Sequence, residues 1–530
     1  MAGDLVLLIG LTLIARIAPR AMVPYAVSSD AYYHLLAADR IRENRFRLPA
    51  RLRGLFFPGP YDYPPLFHYM LALVPRRATA LAERFVSPVI DAAYAALVYG
   101  FLVWLLEHDG VPAGDAAQRA LWLSLAFVVS PALLYAGRGP RAYNANPRIL
   151  SEALFAAAMA AAVVWFVSDS MWAFAAAVVF VALLLLASKF GAQVVAFFFP
   201  PMAALLGSAG LLAIGVLGFV LAVVGTRGHY LRVLKGHVGH LALFARVGAR
   251  KDSPMPWKSE WREFFQLLRR KPDTTTLYRL LLINSVSCFV VRNPQLVLLA
   301  VVWWRGPAWG NAGPLLWGWT ALSIGVFVVV SVRRMLFLGE AERYVSYSVP
   351  AHFALLAIGW SHIPPVLWAA FVVYSVALSA VYQVAFVRVS RHSPDLRSES
   401  AKLHDFLRSQ GRTLRIVPIA ESPHKLAYRS GHEVFYPCGN FQIWYTPVEE
   451  YLRIYGPFMQ PRIETLAETA ARYGIDTVLV NRRGDPNDFC RRMDGSAVLF
   501  ENDTFVLYDL RTAGRRLAST ETVTKDAPVR

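Results

Sequence analysis

A short segment near the N-terminus combines an acid, two tyrosines and a histidine at a spacing that suits catalysis. It reads SSDAYYH over residues 28–34, and helix-forming residues follow it. The serines favour a helix start at Asp30, where the helix dipole keeps the carboxylate ionised, and His34 projects from the same face one turn later. Asp30 is therefore the candidate catalytic residue, with Tyr33 and His34 as candidate substrate contacts. A plain helix cap is the alternative that the pattern leaves open.

A second segment, residues 61–73, reads YDYPPLFHYMLAL. Its paired prolines end an extended stretch and start an apolar helix that is too short to cross a membrane, and its aromatic residues suit the headgroup level. Tyr63 and His68 are candidate substrate contacts here. An interfacial anchor and a packing histidine are the alternatives.

Cationic residues next to apolar segments form the third group of candidates. Residues 137–148 read GRGPRAYNANPR, so three arginines and two amides precede an apolar segment that contains Glu152. Residues 339–344 read GEAERY, in which Arg343 offers a fork that binds phosphate bidentately while Tyr344 donates alongside. Structural ion pairs and a salt-bridged helix cap are the alternatives. The candidate substrate-binding residues of this group are Arg148, Glu152, Lys189, Arg343 and Tyr344.

The composition is that of a membrane protein. The 530 residues are 56% hydrophobic and 17% charged, against about 45–50% and 25% in soluble proteins. The net charge of +18 suits anionic lipid headgroups or a phosphate-bearing substrate, and no nucleic-acid partner is expected. The three cysteines exclude a disulfide scaffold, although Cys438 and Cys490 could pair in an oxidising compartment. No zinc spacing, phosphate-binding glycine loop, dinucleotide fingerprint or serine-hydrolase elbow occurs in a suitable context.

Apolar segments predict about eleven transmembrane helices in a domain that covers residues 1–387. The first segment lacks a cleavage site and is predicted to be a retained anchor, and a long first outer loop follows at residues 19–85. The eighth segment is interrupted by Arg292 and Asn293-Pro294. The predicted spans are 5–18, 86–106, 120–136, 149–167, 171–187, 190–206, 209–224, 280–304, 315–332, 347–360 and 365–387.

A soluble domain is predicted at residues 388–510, where charges of both signs interleave. Strands are expected at 414–419, 477–480 and 505–510, and a helix at 463–473, which indicates a small α/β domain. Residues 511–530 are expected to form a disordered tail. An odd span number places the termini on opposite sides, but a cytoplasmic N-terminus puts the basic loops outside, against the positive-inside rule. We place the N-terminus inside because a basic outer surface suits the function described below.

Three motifs in order along the chain, SSDAYYH, YPPLFHY and EAERY, resemble those of the GT-C superfamily of membrane glycosyltransferases. The likeness covers most of the chain, since the long first loop, the bundle of spans and the soluble C-terminal domain match as well. The superfamily includes protein mannosyltransferases, aminoarabinose transferases acting on lipid A and oligosaccharyltransferase catalytic subunits. The resemblance implies an inner-membrane enzyme that moves a hexosyl or pentosyl group from a polyprenyl-phosphate carrier to a lipid, glycan or protein acceptor. The reaction and the soluble domain would face the periplasm.

The resemblance also implies roles for individual residues. The family's first-loop acid falls on Asp30, as a base or acceptor-positioning group, while Arg343, Arg148 or Lys189 would hold the departing phosphate. The soluble domain has no counterpart of the Trp-Trp-Asp-Tyr-Gly motif of oligosaccharyltransferases, so transfer to a peptide sequon is not expected. The second outer loop lacks the carboxylate that metal-using relatives supply, so no cofactor is certain and a divalent metal stays open.

Two other classes of protein remain as alternatives. A secondary transporter would use the intramembrane charges Asp91, Glu152, Lys189 and Arg292 along a pathway, and would be expected to contain an inverted repeat. No repeat is evident in the sequence. A polymer-export or assembly component would use the C-terminal domain as a binding module.

Overall fold

The structure is a computed structural model. It describes residues 2–23, 29–56, 60–134, 144–248, 260–271, 273–307, 309–391, 394–436, 448–455, 461–485, 488–493 and 495–511. The helices in chain order are α1 (Ala2–Ala21), α2 (Ser29–Glu43), α3 (Leu66–Leu73), α4 (Thr79–His108), α5 (Ala113–Val128), α6 (Pro147–Ser168), α7 (Met171–Ala187), α8 (Lys189–Leu206), α9 (Ala209–Gly225), α10 (His229–Gly248), α11 (Glu260–Leu268), α12 (Thr274–Leu282), α13 (Ser285–Arg292), α14 (Gln295–Arg305), α15 (Gly313–Val330), α16 (Glu342–Ser346), α17 (Val349–Ile358), α18 (Pro365–Arg391), α19 (Pro394–Ser409), α20 (Pro423–Ser430), α21 (Val448–Ile454), α22 (Leu466–Tyr473) and α23 (Phe489–Arg492). The strands are β1 (Leu55–Phe56), β2 (Arg415–Ile419), β3 (Glu433–Phe435), β4 (Thr477–Asn481), β5 (Val498–Glu501) and β6 (Phe505–Asp509).

The chain forms two compact units, each built from segments that are distant in sequence. The first unit comprises Met1–Ser28, Tyr63–Leu234 and Lys258–Ser390, and contains the apolar helices. The second comprises Ser29–Asp62, Lys235–Trp257 and Arg391–Arg530, and contains the sheet. The sequence pattern placed a single boundary at residue 388. It gave no sign that the segment carrying Asp30 belongs to the same unit as the C-terminal region.

The first unit is a helical membrane bundle. Among the described residues, six helices are long and apolar enough to cross a membrane, namely α1, α4, α6, α8, α15 and α18. The number rises to eight if the bent pairs α9 with α10 and α12 with α13 each count as one span. The chain is therefore an integral membrane protein with many helical segments, as its composition predicts. Length and composition support six to eight spans among the described residues, so the predicted number of eleven is supported in part.

The difference in span number has local causes. The predicted eighth span is divided into α13 and α14 because Pro294 has no N–H for the helix ladder. The predicted third span is a helix of 16 residues, α5, that ends at Val128. The helices in place of the fifth and tenth predicted spans, α7 and α17, are 17 and 10 residues long. These helices are apolar but shorter than a span of about 20 residues.

Two kinds of contact hold the first unit together. The guanidinium of Arg16 pairs with Asp91 and that of Arg20 with Glu83 at 2.6 Å, so buried ion pairs join α1 to α4. Helices α7 and α9 approach closely, since a Cβ added at Gly218 would lie 2.4 Å from Val181. Small residues allow such close packing where apolar association alone gives little attraction between membrane helices.

The second unit is built on a six-stranded mixed sheet with strand order β1-β3-β2-β4-β6-β5. Strands β1, β3, β2 and β4 run parallel to one another. At one edge of the sheet, β6 pairs antiparallel with β4, and β5 pairs antiparallel with β6. The sequences RIVPI and FVLYD are apolar runs rather than alternations, because β2 and β6 are buried on both faces of the sheet. The first strand comes from the segment before Asp62.

The strands and the helix predicted in the C-terminal region are present with small boundary shifts. β2, β4 and β6 correspond to the strands predicted at 414–419, 477–480 and 505–510, and α22 lies within the helix predicted at 463–473. Helix α22 ends at Gly474, whose φ of +63° suits a left-handed cap. The predicted tail, apart from Arg511, and Cys438 lie outside the described residues.

A buried histidine in the second unit predicts a pH-dependent stability. His404, in α19, is 8% exposed, and neither ring nitrogen has a hydrogen-bond partner among the described residues. Burial, and then the charges of Lys425, Arg429 and Arg408, lower the pKa of His404 from 6.5 to about 3. The unfolded chain therefore takes up a proton near pH 6.5 that the folded chain does not. Stability should fall below that pH by up to about 1.4 kcal/mol per pH unit.

Substitution of His404 by Leu tests this expectation. The variant should lose less thermal stability than the parent between pH 7.5 and pH 5, because its unfolded state gains no proton at this position. The unfolding midpoint of the purified full-length protein in detergent measures the effect. An identical pH-dependent decrease in both proteins would contradict the assignment.

Candidate functional site

One pocket in the first unit gathers charged residues from three helical segments. Its lining consists of Ala132, Arg148, Glu152, Cys288, Arg292, Asn293, Glu342, Arg343 and Ser346. Three arginines and two carboxylates meet there inside the membrane bundle. Burial of ionised side chains within a membrane bundle has a high free-energy cost, so such residues usually have a function.

Helix α6 supplies Arg148 and Glu152. The side chain of Asn146 caps this helix by accepting the backbone N–H of Arg148 at 2.9 Å, and Pro147 occupies the first position, where no N–H is needed. Arg148 therefore lies in the first turn. Glu152 follows four residues later on the same face and is fully buried.

The break between α13 and α14 supplies Arg292 and Asn293. Helix α13 ends at Arg292, and the side-chain amide of Asn293 donates to the carbonyl of Phe289 at 2.8 Å. Pro294 prevents the helix from continuing. The interruption that made this predicted span insecure thus delivers two polar side chains to the pocket.

Helix α16 supplies Glu342, Arg343 and Ser346 from a single turn. Gly339 precedes it with a φ of +105°, a conformation that L side chains rarely adopt. The hydroxyl of Ser346 lies 2.8 Å from the carbonyl of Arg343 and 2.9 Å from Glu152 Oε1. One small polar residue therefore connects α16 to α6.

Carboxylates hold the three guanidinium groups in place. Glu340 Oε2 accepts from Arg148 Nη2 at 3.2 Å and from Arg343 Nε at 3.0 Å, so it bridges the two arginines. Arg292 Nη1 lies 3.5 Å from Glu342 Oε1. Arg292 also donates through Nε to the hydroxyl of Tyr382 at 3.2 Å and through Nη2 to the carbonyl of Leu281 at 3.4 Å. Such contacts keep the arginine side chains in fixed orientations.

Aromatic residues support Arg343 from the other side. The guanidinium carbon of Arg343 lies 5.6 Å from the ring centroid of Phe190, within cation–π range. Phe190 in turn contacts Tyr344, with ring centroids 4.7 Å apart. The hydroxyl of Tyr344 lies 3.1 Å from Gln193 Oε1 and 3.2 Å from the carbonyl of Leu338, so Tyr344 joins α16 to α8. Its role as a phosphate ligand stays a prediction.

The arrangement is suited to an oxyanion with several acceptor oxygens. Arginine presents a planar fork of N–H donors whose geometry matches the oxygens of a phosphate group. Three arginines line this one pocket. Asn293 and Ser346 add neutral polar groups. A phosphate group placed there would meet donors from α6, α13 and α16 at once.

Solved structures share this architecture over most of the chain. ArnT from Cupriavidus metallidurans in the apo state has a TM-score of 0.59 at 11% identity and covers 97% of this chain and 99% of its own. The same protein bound to undecaprenyl phosphate has a TM-score of 0.60 at 11% identity, over 96% and 98%. The oligosaccharyltransferase AglB from Archaeoglobus fulgidus, in complex with an inhibitory peptide and a dolichol-phosphate, has a TM-score of 0.54 at 11% identity, over 91% and 69%.

This chain therefore has the fold of ArnT and AglB. No protein-family model and no curated protein sequence matches the chain. The resemblance in fold that the three motifs indicated is confirmed, at 11% sequence identity.

The GT-C fold brings only part of the predicted site residues together in the pocket. Arg148, Glu152 and Arg343 line it, and Tyr344 follows Arg343 in the same helix. Arg138 and Arg141, which the sequence pattern grouped with Arg148, lie outside the described residues.

Lys189 belongs to a second cluster in the membrane unit. Its Nζ lies 5.9 Å from the ring centroid of Tyr63, and that ring lies 5.1 Å from His68. Lys189 is 9% exposed and His68 is fully buried. Residues from two of the predicted groups therefore lie together, although none of the three lines the arginine pocket.

The charges that a transporter would place along one pathway are divided among separate environments. Asp91 pairs with Arg16, and Lys189 lies against Tyr63. Only Glu152 and Arg292 share a pocket.

Asp30, Tyr33 and His34 lie in the second unit. Asp30 is exposed in the first turn of α2, at the position that the sequence predicted. Tyr33 and His34 are 2% and 3% exposed, and Tyr33 contacts His424 of α20 with ring centroids 5.2 Å apart. Tyr33 thus packs against α20, and the roles of Tyr33 and His34 as substrate contacts stay predictions. Ser28 and the side chain of Ser29 lie outside the described residues, so the predicted cap is not described.

The described part of the chain contains no group of three or more His, Cys, Asp or Glu side chains that could hold a metal ion. Asp62 is fully buried, and a Cβ added at Gly236 would lie 2.0 Å from its Oδ2, so the carboxylate packs directly against α10.

Sequence reasoning missed five polar residues of the pocket or its border, and one of them, Ser346, was not considered at all. Arg292 and Asn293 were treated as interruptions of a span, and Glu340 and Glu342 as parts of a charged segment. The signal was present, since a charged residue inside an apolar segment marks a functional position by default. What the sequence did not show is which of these residues meet.

Proposed function

We propose that this chain is an integral membrane glycosyltransferase that moves a sugar from a polyprenyl-phosphate carrier to a lipid, glycan or protein acceptor. The observation that carries the proposal is the convergence of Arg148, Arg292 and Arg343 on one pocket within a GT-C membrane bundle. The structures of similar fold include ArnT bound to undecaprenyl phosphate and AglB with a dolichol-phosphate. We infer that the pocket binds the phosphate of such a carrier.

The proposed chemistry explains why arginines, rather than a second acid, line the pocket. Cleavage of the sugar–phosphate bond expels a phosphate that is already a stable anion, so its oxygen needs no protonation, unlike the leaving group in glycoside hydrolysis. Negative charge grows on that phosphate in the transition state. Prearranged guanidinium groups stabilise this charge without reorganising.

The proposed base is Asp30. A carboxylate in the first turn of a helix is kept ionised by the helix dipole, and Asp30 is exposed to solvent and acceptors. In this proposal Asp30 takes the proton of the acceptor hydroxyl as that oxygen attacks the anomeric carbon. Its carboxylate becomes a carboxylic acid and the carrier departs as polyprenyl phosphate.

A binding measurement tests the pocket directly. The purified protein should bind undecaprenyl phosphate more tightly than undecaprenol, which has the same apolar tail without the phosphate. Thermal stabilisation by each lipid at matched concentration reports the difference. Equal stabilisation by both lipids would overturn the proposed donor class.

We further propose that the second unit lies on the periplasmic side of the inner membrane. Residues 29–62 and 391–511 contribute to one sheet-based unit, so they must lie on the same side. Helix α1 crosses once before residue 29, which puts the N-terminus on the opposite side.

Reporter fusions test this topology. A reporter that is active only in the periplasm should be active when fused after Arg391 and inactive when fused at the N-terminus. The reverse pair would place Asp30 in the cytoplasm and contradict the proposed orientation. Activity at both positions would contradict a single crossing by α1.

A further inference from the structure

A chain of five buried polar residues runs through the membrane unit and ends at the arginine pocket. Ser323 and Ser348 lie 2.7 Å apart through their hydroxyls, Ser348 lies 3.0 Å from His352 Nε2, and His352 Nδ1 lies 3.3 Å from Gln295 Nε2. Gln295 Nε2 also donates to Asn293 Oδ1 at 2.9 Å. We call Ser323, Ser348, His352, Gln295 and Asn293 the polar relay. Its members are at most 6% exposed.

The hydrogen bonds fix the direction of donation at each contact from Asn293 to Ser348, while either hydroxyl can donate between Ser323 and Ser348. Asn293 donates through Nδ2 to the carbonyl of Phe289, so its Oδ1 must accept from the amide of Gln295. That amide nitrogen has only N–H groups to offer, so His352 Nδ1 is an acceptor and the ring proton lies on Nε2. His352 is therefore a neutral histidine that donates to Ser348.

The polar relay does not serve packing alone. Leucine or phenylalanine at these positions would fill an apolar bundle without burying polar groups, whereas the polar relay leaves Gln295 Oε1 without a hydrogen-bond partner among the described residues, a cost that packing alone does not explain. Three helices, α14, α15 and α17, contribute to it together with the linker residues Asn293 and Ser348.

The location of the polar relay indicates its purpose. Pro294 has no N–H and interrupts the helix between Arg292 and Gln295, so the backbone hydrogen bond from Leu296 to Asn293 at 3.0 Å joins the two halves in place of a continuous helix ladder. The contact between Gln295 and His352 fixes the start of α14 to α17. Asn293, one step further along the polar relay, lines the pocket beside Arg292.

We propose that His352 is a positioning residue for the phosphate pocket. It acts through Gln295 to fix the position of the break between α13 and α14, which carries Asn293 and Arg292. It thereby fixes hydrogen-bond donors that contact the phosphate. The proposal rests on the proposed function, because it assumes that the pocket binds the phosphate of a polyprenyl carrier. His352 itself does not line the pocket.

Two substitutions and their combination test the role of His352. His352→Leu removes the acceptor for Gln295, and Gln295→Met removes the donor while keeping a similar shape. Each variant should weaken binding of undecaprenyl phosphate roughly tenfold, the effect of losing one well-placed buried hydrogen bond. The double variant should be no weaker than either single variant, because both act through one contact. Ser375→Ala, a buried serine in α18 outside the polar relay, is the control and should bind like the parent.

The design separates failure of this inference from failure of the proposed function. Binding of undecaprenol should be equal in the parent and all variants, since a merely structural role would weaken both lipids together. If the parent protein prefers undecaprenyl phosphate and either single variant keeps that preference in full, His352 does not position the pocket. Additive losses in the double variant would also overturn the inference. A parent protein with no preference for the phosphate overturns the proposed function itself.

Discussion

Replacement of Asp30 by Asn is expected to lower the rate of sugar transfer by about 10² to 10⁴ while leaving the fold intact. An amide cannot accept the proton of the acceptor hydroxyl, and loss of a general base typically has an effect of that size. The stability of the protein should fall by less than about 1 kcal/mol, because Asn caps helix starts as well as Asp and only the interaction with the helix dipole is lost. The rate of carrier release at saturating donor, together with the thermal unfolding midpoint, measures both effects.

Asp115→Asn is the matched control for this experiment. Asp115 is also an exposed acid in the first turn of a helix, in α5, so the substitution makes the same chemical change at a position with no proposed role. Its transfer rate should equal that of the parent. A near-parent rate in the Asp30 variant would make Asp30 a helix cap, and would direct attention to Asp39, Asp62 and Glu152 as the next carboxylates.

Replacement of Arg343 by Lys is expected to weaken donor binding about tenfold to a hundredfold. The charge is kept, but lysine cannot donate to Glu340 through an Nε–H while presenting a planar fork to phosphate, and its contact with Phe190 differs. Arg343 is partly exposed, so the substitution should fold more readily than one at the buried Arg292. Titration with undecaprenyl phosphate measures the change in affinity.

Arg334→Lys provides the comparison for Arg343. Arg334 lies in the 3₁₀ segment just before Gly339 and is exposed, and it does not line the pocket. Its substitution should leave donor affinity unchanged. Unchanged affinity in the Arg343 variant as well would make Arg343 part of a structural cap rather than a phosphate ligand.

The sequence predicts the elements of this protein better than their assembly. Apolar runs identify the membrane helices because burial in lipid requires long apolar segments, and continuous apolar strands identify β2 and β6 because both faces of the sheet are covered. Six to eight of the described helical segments have the length and apolarity of a span, and the other predicted spans fall where helices are short or broken. The inclusion of residues 29–62 in the second unit had no local signal, since β1 has only two residues and its pairing with β3 spans nearly 380 positions.

For the candidate site as well, the sequence predicts individual residues better than it predicts which of them lie together. Arg148, Glu152 and Arg343 could be identified individually, because charge beside an apolar segment requires a reason. Arg292 and Asn293 were visible only as an interruption, and His352 gave no signal because a lone histidine in an apolar segment is most often a packing residue. Their association depends on how α13, α14 and α17 meet, which is a tertiary property. The local sequence pattern does not show how these three helices pack together.

The most direct test of the central claim is the release of free carrier lipid. The purified protein should be incubated with a panel of polyprenyl-phosphate sugars, alone and with lipid, glycan and protein acceptors, and free polyprenyl phosphate should be quantified over time. The account predicts release from at least one donor, dependent on an acceptor and abolished in the Asp30→Asn variant. Tight binding of these lipids with no release from any donor, or release that is equal in the parent and the Asp30→Asn variant, would contradict it.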